Sequence, residues 1–322
     1  MKFPSQSNIL YAGATVANGT FASTHKINIP KDISILNRRG YASTTKKGVP
    51  LVYRVAATIY PGPLDGSGYT TSVSSDIRTT VKFLGCQNNW VMKNAAVKLH
   101  AAREKWLKKT GVSKKLRGAY SHEIRYAYEA SGETFAAPVD GNGAAFTGGT
   151  WDITTFADDL DNSYNVKLVG ASNDESSATT DTAFSLPGLY LNSRGNQLAD
   201  TNPEADDTPA RYSHLQFLMG NLSVDEQQDV AIGNIQGEQD NPPYDTWAVD
   251  DVNNDITEEV ELGRVNMYPH GSGGSLPQTV ELEVPFGIME VLMAHRDPGD
   301  NSGVTDALGI SIEVLGIYEM QG

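Results

Sequence analysis

The feature of this sequence that most constrains its fold is an alternation of apolar and polar residues, repeated in short segments along nearly the whole chain. A period of two places every second side chain on the same face of an extended strand. Among 322 residues, 31 glycines and 15 prolines provide frequent strand ends. We therefore expect an all-β fold of many short strands. The predicted strands are 27–35, 51–60, 77–84, 124–128, 151–156, 164–169, 184–191, 215–219, 260–267, 280–292 and 310–318.

Two segments have helical patterns instead. Asn88 or Asn89 can cap a helix whose apolar residues recur every three or four positions, and Gly111 can end it. This pattern predicts a long helix over 88–110. A second, short helix is expected after Ser223, which is followed three positions later by a glutamate, as in a capping box.

Segment 173–182 is polar and has few side chains that a core could bury, which predicts a linker. The same order of elements stands on each side of it: a strand that runs into a helix, followed by three strands. The strand before the long helix ends in 81–85, and its counterpart is 215–221. We therefore expect two tandem jelly-roll β-sandwiches, an N-terminal module over 1–172 with the long helix and a C-terminal module over 183–322 with the short one. A single large β-sandwich is the alternative that the length of 322 residues also allows.

The charge of the chain is divided unevenly along its length. Residues 1–130 hold 20 basic and 6 acidic side chains, a formal +14, whereas residues 131–322 hold 5 basic and 33 acidic ones, a formal −28. The total of −14 argues against nucleic-acid binding by the chain as a whole. The division nevertheless allows one surface to meet anions while another stays hydrated. Pairing of the two charges within the molecule is the alternative.

The chain resembles the double jelly-roll major capsid proteins of tailless icosahedral viruses, in particular bacteriophages with an internal membrane. The resemblance covers nearly the whole chain and rests on its length, the tandem β modules, the helix after the same strand in each module, and the closing strand 309–315. It implies a structural protein of the virion that assembles in the host cytoplasm as homotrimers, which tile as pseudo-hexagonal capsomers into an icosahedral shell. The expected partners are copies of the same chain, other virion proteins such as a vertex protein, and internal membrane lipids or the genome.

A dense group of basic side chains occupies the long helix and the loop after it. Such a group can neutralise the phosphates of a genome or of lipid headgroups. In a shell subunit we expect this basic patch to face the particle interior, and the alternative is a solvated helix face whose lysine stems cover apolar surface. The basic patch consists of Lys93, Lys98, Arg103, Lys105, Lys108, Lys109, Lys114, Lys115 and Arg117.

The sequence shows no recognisable catalytic motif, so we expect neither enzymatic activity nor a cofactor. The six histidines lie too far apart for a paired zinc motif, and residues 271–275 do not match a nucleophile elbow. Residues 251–255 begin like a calcium loop, with oxygen ligands at alternate positions. Ile256 then replaces the turn glycine and Leu262 the bidentate glutamate, so calcium is only weakly supported, as an irregular ion site.

Two other functions stay open at this point. A carbohydrate-binding β-sandwich protein or a glycosidase would use aromatic rings as platforms, for which Trp151, Trp247 and the loop 241–247 are the candidates. The paired carboxylates of a glycosidase are defined by a distance that a sequence does not reveal. The third function is a component of a phage tail or spike.

Overall fold

The structure, a computed structural model, forms twelve β-strands and three α-helices within the residues that it describes, so the protein is mostly β. The described residues are 3–16, 21–62, 79–112, 118, 122–130, 133–149, 151–157, 163–170, 183–193, 259–268, 276–295 and 306–321. None of the described helices is long and apolar enough to cross a membrane.

The elements follow one another in the order β1, β2, α1, β3, β4, α2, β5, β6, β7, β8, α3, β9, β10, β11, β12. The strands are β1 (Asn8–Val16), β2 (Ala22–Asn28), β3 (Leu51–Tyr60), β4 (Thr79–Gly85), β5 (Pro138–Val139), β6 (Thr155–Ala157), β7 (Ser163–Lys167), β8 (Ala183–Ser185), β9 (Val260–Met267), β10 (Gln278–Pro285), β11 (Ile288–His295) and β12 (Asp306–Glu319). The helices are α1 (Ile29–Asn37), α2 (Trp90–Lys109) and α3 (Leu186–Ser193).

Eight of these strands build two large antiparallel sheets. One sheet has the order β10-β3-β12-β1, with β5 added beside β1, and the other has the order β2-β11-β4-β9. The pairing is nested, because β1 pairs with β12, β2 with β11, β3 with β10 and β4 with β9. The first four and the last four strands are thus the two arms of one long ribbon, rolled so that successive pairs alternate between the sheets. Residues 86–259 are inserted at the closed end of this ribbon.

The two large sheets enclose a core of aliphatic and aromatic side chains. Strand β3 shows how the alternating pattern produces it: Tyr53, Val55, Ala57 and Ile59 are fully buried, and Arg54 between them is exposed. Strands β4 and β11 of the opposite sheet bury every second residue in the same core. Removal of apolar surface from water, at roughly 25 cal/mol per Å², is the main source of stability for such a sandwich.

Several predicted elements have the expected bounds. The strands predicted over 51–60 and 260–267 are β3 and β9. The helix predicted over 88–110 is α2, which begins after Asn89, and the Asn89 side chain accepts a hydrogen bond of 2.9 Å from the backbone N–H of Met92. Local sequence patterns were sufficient to predict these elements, because the spacing of the apolar residues matches the residues that are buried and Asn89 caps the helix.

The strand pairing does not follow the predicted division into modules 1–172 and 183–322. Both large sheets contain strands from each side of the predicted linker 173–182, and a third sheet, β6-β7-β8, joins its two sides by a parallel pairing of β7 with β8. The physical reason is that each of the strands β1 to β4 finds its backbone hydrogen-bonding partner among β9 to β12. The described strands therefore form one large sandwich shared by both parts of the chain, where two in tandem were expected.

The strand predicted over 27–35 is mostly a helix. Strand β2 ends at Asn28, whose side chain accepts a hydrogen bond of 3.1 Å from the backbone N–H of Lys31 and so caps α1. Pro30 lies in the first turn, where its missing N–H costs no hydrogen bond. Arg38 ends the helix in a left-handed conformation, with φ of 48°. The spacing of the apolar residues is compatible with a strand or a helix, and the cap at Asn28 favours the helix.

The insertion contains less strand than expected. Most of the segment 184–191 is helix α3. The segment 124–128 is buried except at Arg125, and it joins a neighbouring strand only by an isolated bridge within the described residues. Strands β6 and β7 are shorter than the predicted strands 151–156 and 164–169. The strand predicted over 215–219, the helix after it and the linker lie outside the described residues.

The strand predicted over 280–292 is two strands in different sheets. Phe286 and Gly287 separate β10 from β11 and carry the chain from one large sheet to the other. Both residues have positive φ, 57° and 70°. A Cβ atom on Gly287 would lie 2.5 Å from Cδ of Pro30, so this position requires glycine.

The inserted residues form a second core, which also includes residues of the sandwich beside the β10 to β11 link. Trp90 of α2 meets Tyr190 of α3 edge to face, with ring centres 6.3 Å apart. Phe286 joins the sandwich to this core, because its ring lies edge to face with Tyr126 at 5.1 Å. Helix α2 buries Val91, Met92, Ala95, Ala96, Leu99, His100 and Ala102.

Candidate functional site

The exposed face of α2 is the candidate functional site, because it carries most of the described residues of the basic patch. Helix α2 buries one face in the second core and leaves the opposite face in solvent. Lys98, Lys105, Lys108 and Lys109 are exposed. Spacings of three, four and seven positions place side chains on adjacent turns of one helix face. The structure thus brings four cations together along about 17 Å of helix.

Two residues of the basic patch lie at the side of α2 that packs against the second core. Lys93 and Arg103 are half-buried. Nη1 of Arg103 donates a hydrogen bond of 3.4 Å to the backbone oxygen of Glu123. On the exposed face, Nζ of Lys98 lies 4.6 Å from the centre of the Tyr190 ring, a cation–π contact between α2 and α3. Arg103 and Lys98 therefore also stabilise the packing of the second core.

Several predicted site residues lie outside the described part of the chain. The structure therefore describes the part of the basic patch that lies on α2. The residues outside it are Lys114, Lys115 and Arg117 of the basic patch, the calcium-like loop 251–255, and the aromatic loop 241–247 with Trp247.

A buried carboxyl group lies beside the basic helix. Oε2 of Glu123 is 3.8 Å from Nε of Arg125, and its Oε1 has no hydrogen-bond partner among the described residues. Burial raises the pKa of Glu123 to about 7, with the charge of Arg125 acting in the opposite direction. Glu123 is thus partly protonated near neutral pH and cancels less of the positive charge of α2 than an exposed glutamate would.

Trp151, one of the two candidate sugar platforms, is half-buried and has a cation over its ring. The guanidinium carbon of Arg125 lies 4.3 Å from the ring centre of Trp151. A sugar that stacks on an indole needs an open ring face, and on this side Arg125 occupies it. One face of the Trp151 ring is therefore not open to a sugar.

The structure also gathers a charged group that the sequence did not predict. Carboxylate oxygens of Glu129, Glu259 and Glu290 lie within 4.8 Å of one another. Lys26 lies beside them and forms ion pairs with Glu129 and Glu133. These residues come from four separate segments of the chain, so no spacing rule could have connected them. Only Glu129 and Glu133 of this group are close in sequence. Two glutamates four positions apart are common in polar turns, so their spacing did not indicate a site.

Comparison of the chain with protein-family models, with curated proteins and with solved structures found no match.

Proposed function

We propose that this chain is a capsid subunit of an icosahedral virus, built on one jelly roll with a long insertion. The observation that carries the proposal is the nested pairing of β1 with β12, β2 with β11, β3 with β10 and β4 with β9. Eight antiparallel strands wrapped in this order are characteristic of a jelly roll, a common architecture of capsid subunits. A single jelly roll, with its insertion between the fourth and fifth strands, takes the place of the tandem pair expected from the sequence.

The filled interior of the sandwich supports a structural role. Jelly rolls also occur in lectins and cupins, and a protein that binds a ligand between its sheets needs a cavity with polar groups there. In the described residues this space holds buried apolar side chains such as Tyr53, Phe83 and Ile310. A core of this kind stabilises a rigid building block and leaves its outer surfaces for contacts with neighbours.

The two described ends of the connection between β9 and β10 offer apolar side chains for contacts between subunits. Tyr268 and Leu276, near its two ends, are 65% and 57% exposed. Large apolar side chains gain free energy when a neighbouring subunit removes them from water. We place one subunit contact at this connection.

The exposed face of α2 then faces the particle interior. Its four lysines would neutralise phosphate groups of the genome or of an internal membrane, with a gain from released counterions in the first case. The location is the virion, after assembly in the host cytoplasm. The partners are copies of this chain and other virion proteins such as a vertex protein.

Size-exclusion chromatography with light scattering, followed by electron microscopy, tests the proposal. We expect trimers, hexagonal arrays or closed particles. A double variant, Tyr268→Ser with Leu276→Ser, should keep its thermal stability and assemble less, whereas Glu313→Gln, at an exposed position of β12, should assemble like the wild type. A monomer at all concentrations that is retained by a polysaccharide column would contradict the proposal and favour sugar binding.

A further inference from the structure

A group of carboxylates lies where the inserted residues meet the sandwich. Glu290 is on β11, Glu259 immediately precedes β9, and Glu129 follows the buried segment 124–128. Carboxylate oxygens of the three residues lie within 4.8 Å of one another. Oxygen ligands stand about 2.3 to 2.6 Å from a calcium ion, so two of them on one ion are at most about 5 Å apart. The spacing of the three carboxylates matches this geometry.

The described residues do not balance the charge of this group. Nζ of Lys26 forms an ion pair with Oε2 of Glu129 at 3.0 Å and a second ion pair with Glu133. Four carboxyl groups, those of Glu129, Glu133, Glu259 and Glu290, thus surround one ammonium group, which leaves a formal charge of −3. Because Lys26 is engaged by Glu129 and Glu133, the described residues provide no ion pair to Glu259 or Glu290.

Glu290 is the member of the group that points most directly to a ligand. Its side chain is 4% exposed, and it makes no hydrogen bond or ion pair with a described residue although its carboxylate faces the other two. A carboxylate buried without a partner destabilises the folded state. A bound cation would remove this destabilisation.

Glu259 is also poorly compensated. Its Oε2 accepts one long hydrogen bond, of 3.4 Å, from Oη of Tyr128. Its carboxylate lies beside those of Glu129 and Glu290, with oxygens of all three within 4.8 Å of one another. The carboxylates therefore repel one another as long as no cation lies between them.

We infer that Glu129, Glu259 and Glu290 form a binding site for a divalent cation that prefers oxygen ligands, namely Ca²⁺. Calcium accepts irregular sets of about six to eight oxygens, whereas Mg²⁺ requires a near-octahedral set and gives up water reluctantly. Three carboxylates from separate segments, with water in the remaining coordination positions, form the kind of irregular oxygen set that calcium accepts. A dication also reduces the formal charge of the group from −3 to −1.

The ion would join three parts of the chain. It would connect β11 to the start of β9, where the chain returns to the sandwich, and to the segment that follows 124–128. The insertion would thereby be fixed to the sheet β2-β11-β4-β9. This inference does not depend on whether the chain is a capsid subunit.

Calcium titration of chelator-treated protein tests the inference. We expect CaCl₂ to give a saturable heat in isothermal titration calorimetry and to raise the thermal unfolding temperature of the wild type, with MgCl₂ less effective. Glu290→Gln, which keeps the shape of the side chain, should lower the calcium affinity at least roughly tenfold. The matched control is Glu313→Gln, which removes an exposed carboxylate from β12 and should bind calcium like the wild type.

Two results would overturn the inference. One is a wild-type protein that shows neither heat nor stabilisation with calcium. That result would mean that protonation and Lys26 alone neutralise the carboxylates. The other is a Glu290→Gln variant with wild-type affinity, which would place the calcium elsewhere. If Glu290→Gln does not fold, Glu259→Gln at its half-buried position provides the same comparison.

A spectroscopic readout locates the ion independently. Terbium(III), which takes oxygen ligands as calcium does, emits when a nearby tyrosine is excited. Since Oη of Tyr128 lies 3.4 Å from Oε2 of Glu259, Tyr128→Phe should reduce the sensitised emission without reducing the terbium affinity more than twofold. Unchanged emission in Tyr128→Phe would place the terbium away from the group and contradict the inference.

Discussion

Oη of Tyr11 donates a hydrogen bond of 2.6 Å to Oδ2 of Asp32, and both side chains are completely buried. Tyr11 belongs to β1 and Asp32 to the first turn of α1, so this contact fixes the helix to the sandwich. Burial raises the pKa of Asp32 to about 7, with the hydrogen bond from Tyr11 and the charge of Lys31 acting in the opposite direction. Asp32 is therefore neutral over a pH range in which an exposed aspartate is charged.

The raised pKa of Asp32 predicts that it makes the protein less stable as the pH rises. Between about pH 4 and about pH 7 the folded state keeps a proton that the unfolded state releases, so this group lowers the free energy of unfolding by up to about 1.4 kcal/mol per pH unit. The loss is complete above the folded-state pKa of about 7. Urea unfolding across this range should show that the free energy of unfolding falls less, or rises more, with pH for Asp32→Asn than for the wild type. Equal slopes would contradict the prediction, and Glu313→Gln is the control at an exposed position.

The hydrogen bond itself predicts a cost for Tyr11→Phe. The substitution leaves Oδ2 of Asp32 without its donor in a place where Oδ1 already lacks a partner among the described residues. We expect the free energy of unfolding to fall by about 1 to 3 kcal/mol. In an Asp32→Asn background the same change should cost less, which a double-mutant cycle measures. Tyr268→Phe, which removes an exposed hydroxyl group, should be nearly neutral.

The link between β10 and β11 predicts that Gly287→Ala is strongly destabilising. Alanine would have to adopt φ of 70°, and its Cβ would lie 2.5 Å from Cδ of Pro30 and 2.8 Å from Cδ2 of Tyr53. Backbone strain and the clash together should cost at least about 2 kcal/mol. Chemical unfolding measures this cost. Gly141→Ala, where an added Cβ meets no atom within 4 Å, should change the stability by less than about 0.5 kcal/mol.

The exposed face of α2 predicts a salt-dependent affinity for nucleic acid. Charge reversal at Lys108 and Lys109 should weaken the binding of an oligonucleotide and reduce the slope of log affinity against log salt by about two, if each lysine meets one phosphate. Fluorescence anisotropy over a range of NaCl concentrations measures both quantities. The control reverses two exposed lysines on the loop before β3, Lys46 and Lys47. Equal losses in the two variants would show that net charge alone decides the affinity.

The reactivity of Cys86 provides a simple probe of unfolding. It is the single cysteine of the chain, it lies in the second core, and it is 1% exposed. Burial raises the pKa of its thiol to about 12, so very little thiolate is present near neutral pH. A thiol reagent should therefore react slowly with native protein and rapidly in denaturant. Rapid reaction of the native protein would show that the second core opens easily.

Local patterns predicted the elements whose signals agree with one another. In β3 the period of two coincides with burial, and in α2 the cap at Asn89 coincides with an apolar stripe and a basic outer face. The segments 27–35 and 184–191 were mispredicted because the spaced isoleucines of the first and the short apolar run of the second suit a helix or a strand. In these two segments, whether a helix or a strand forms depends on capping residues and on the tertiary packing around the segment.

The sequence by itself determined that the chain is mostly β, that one long amphipathic helix follows β4, and that the cations of this helix share a face. Each of these properties depends on neighbours within a few positions. The tertiary structure alone decided that β1 to β4 pair with β9 to β12, and that Glu129, Glu259 and Glu290 meet. Strand edges offer the same backbone donors and acceptors whatever their side chains, so the partner of each strand is chosen by the packing of the whole core.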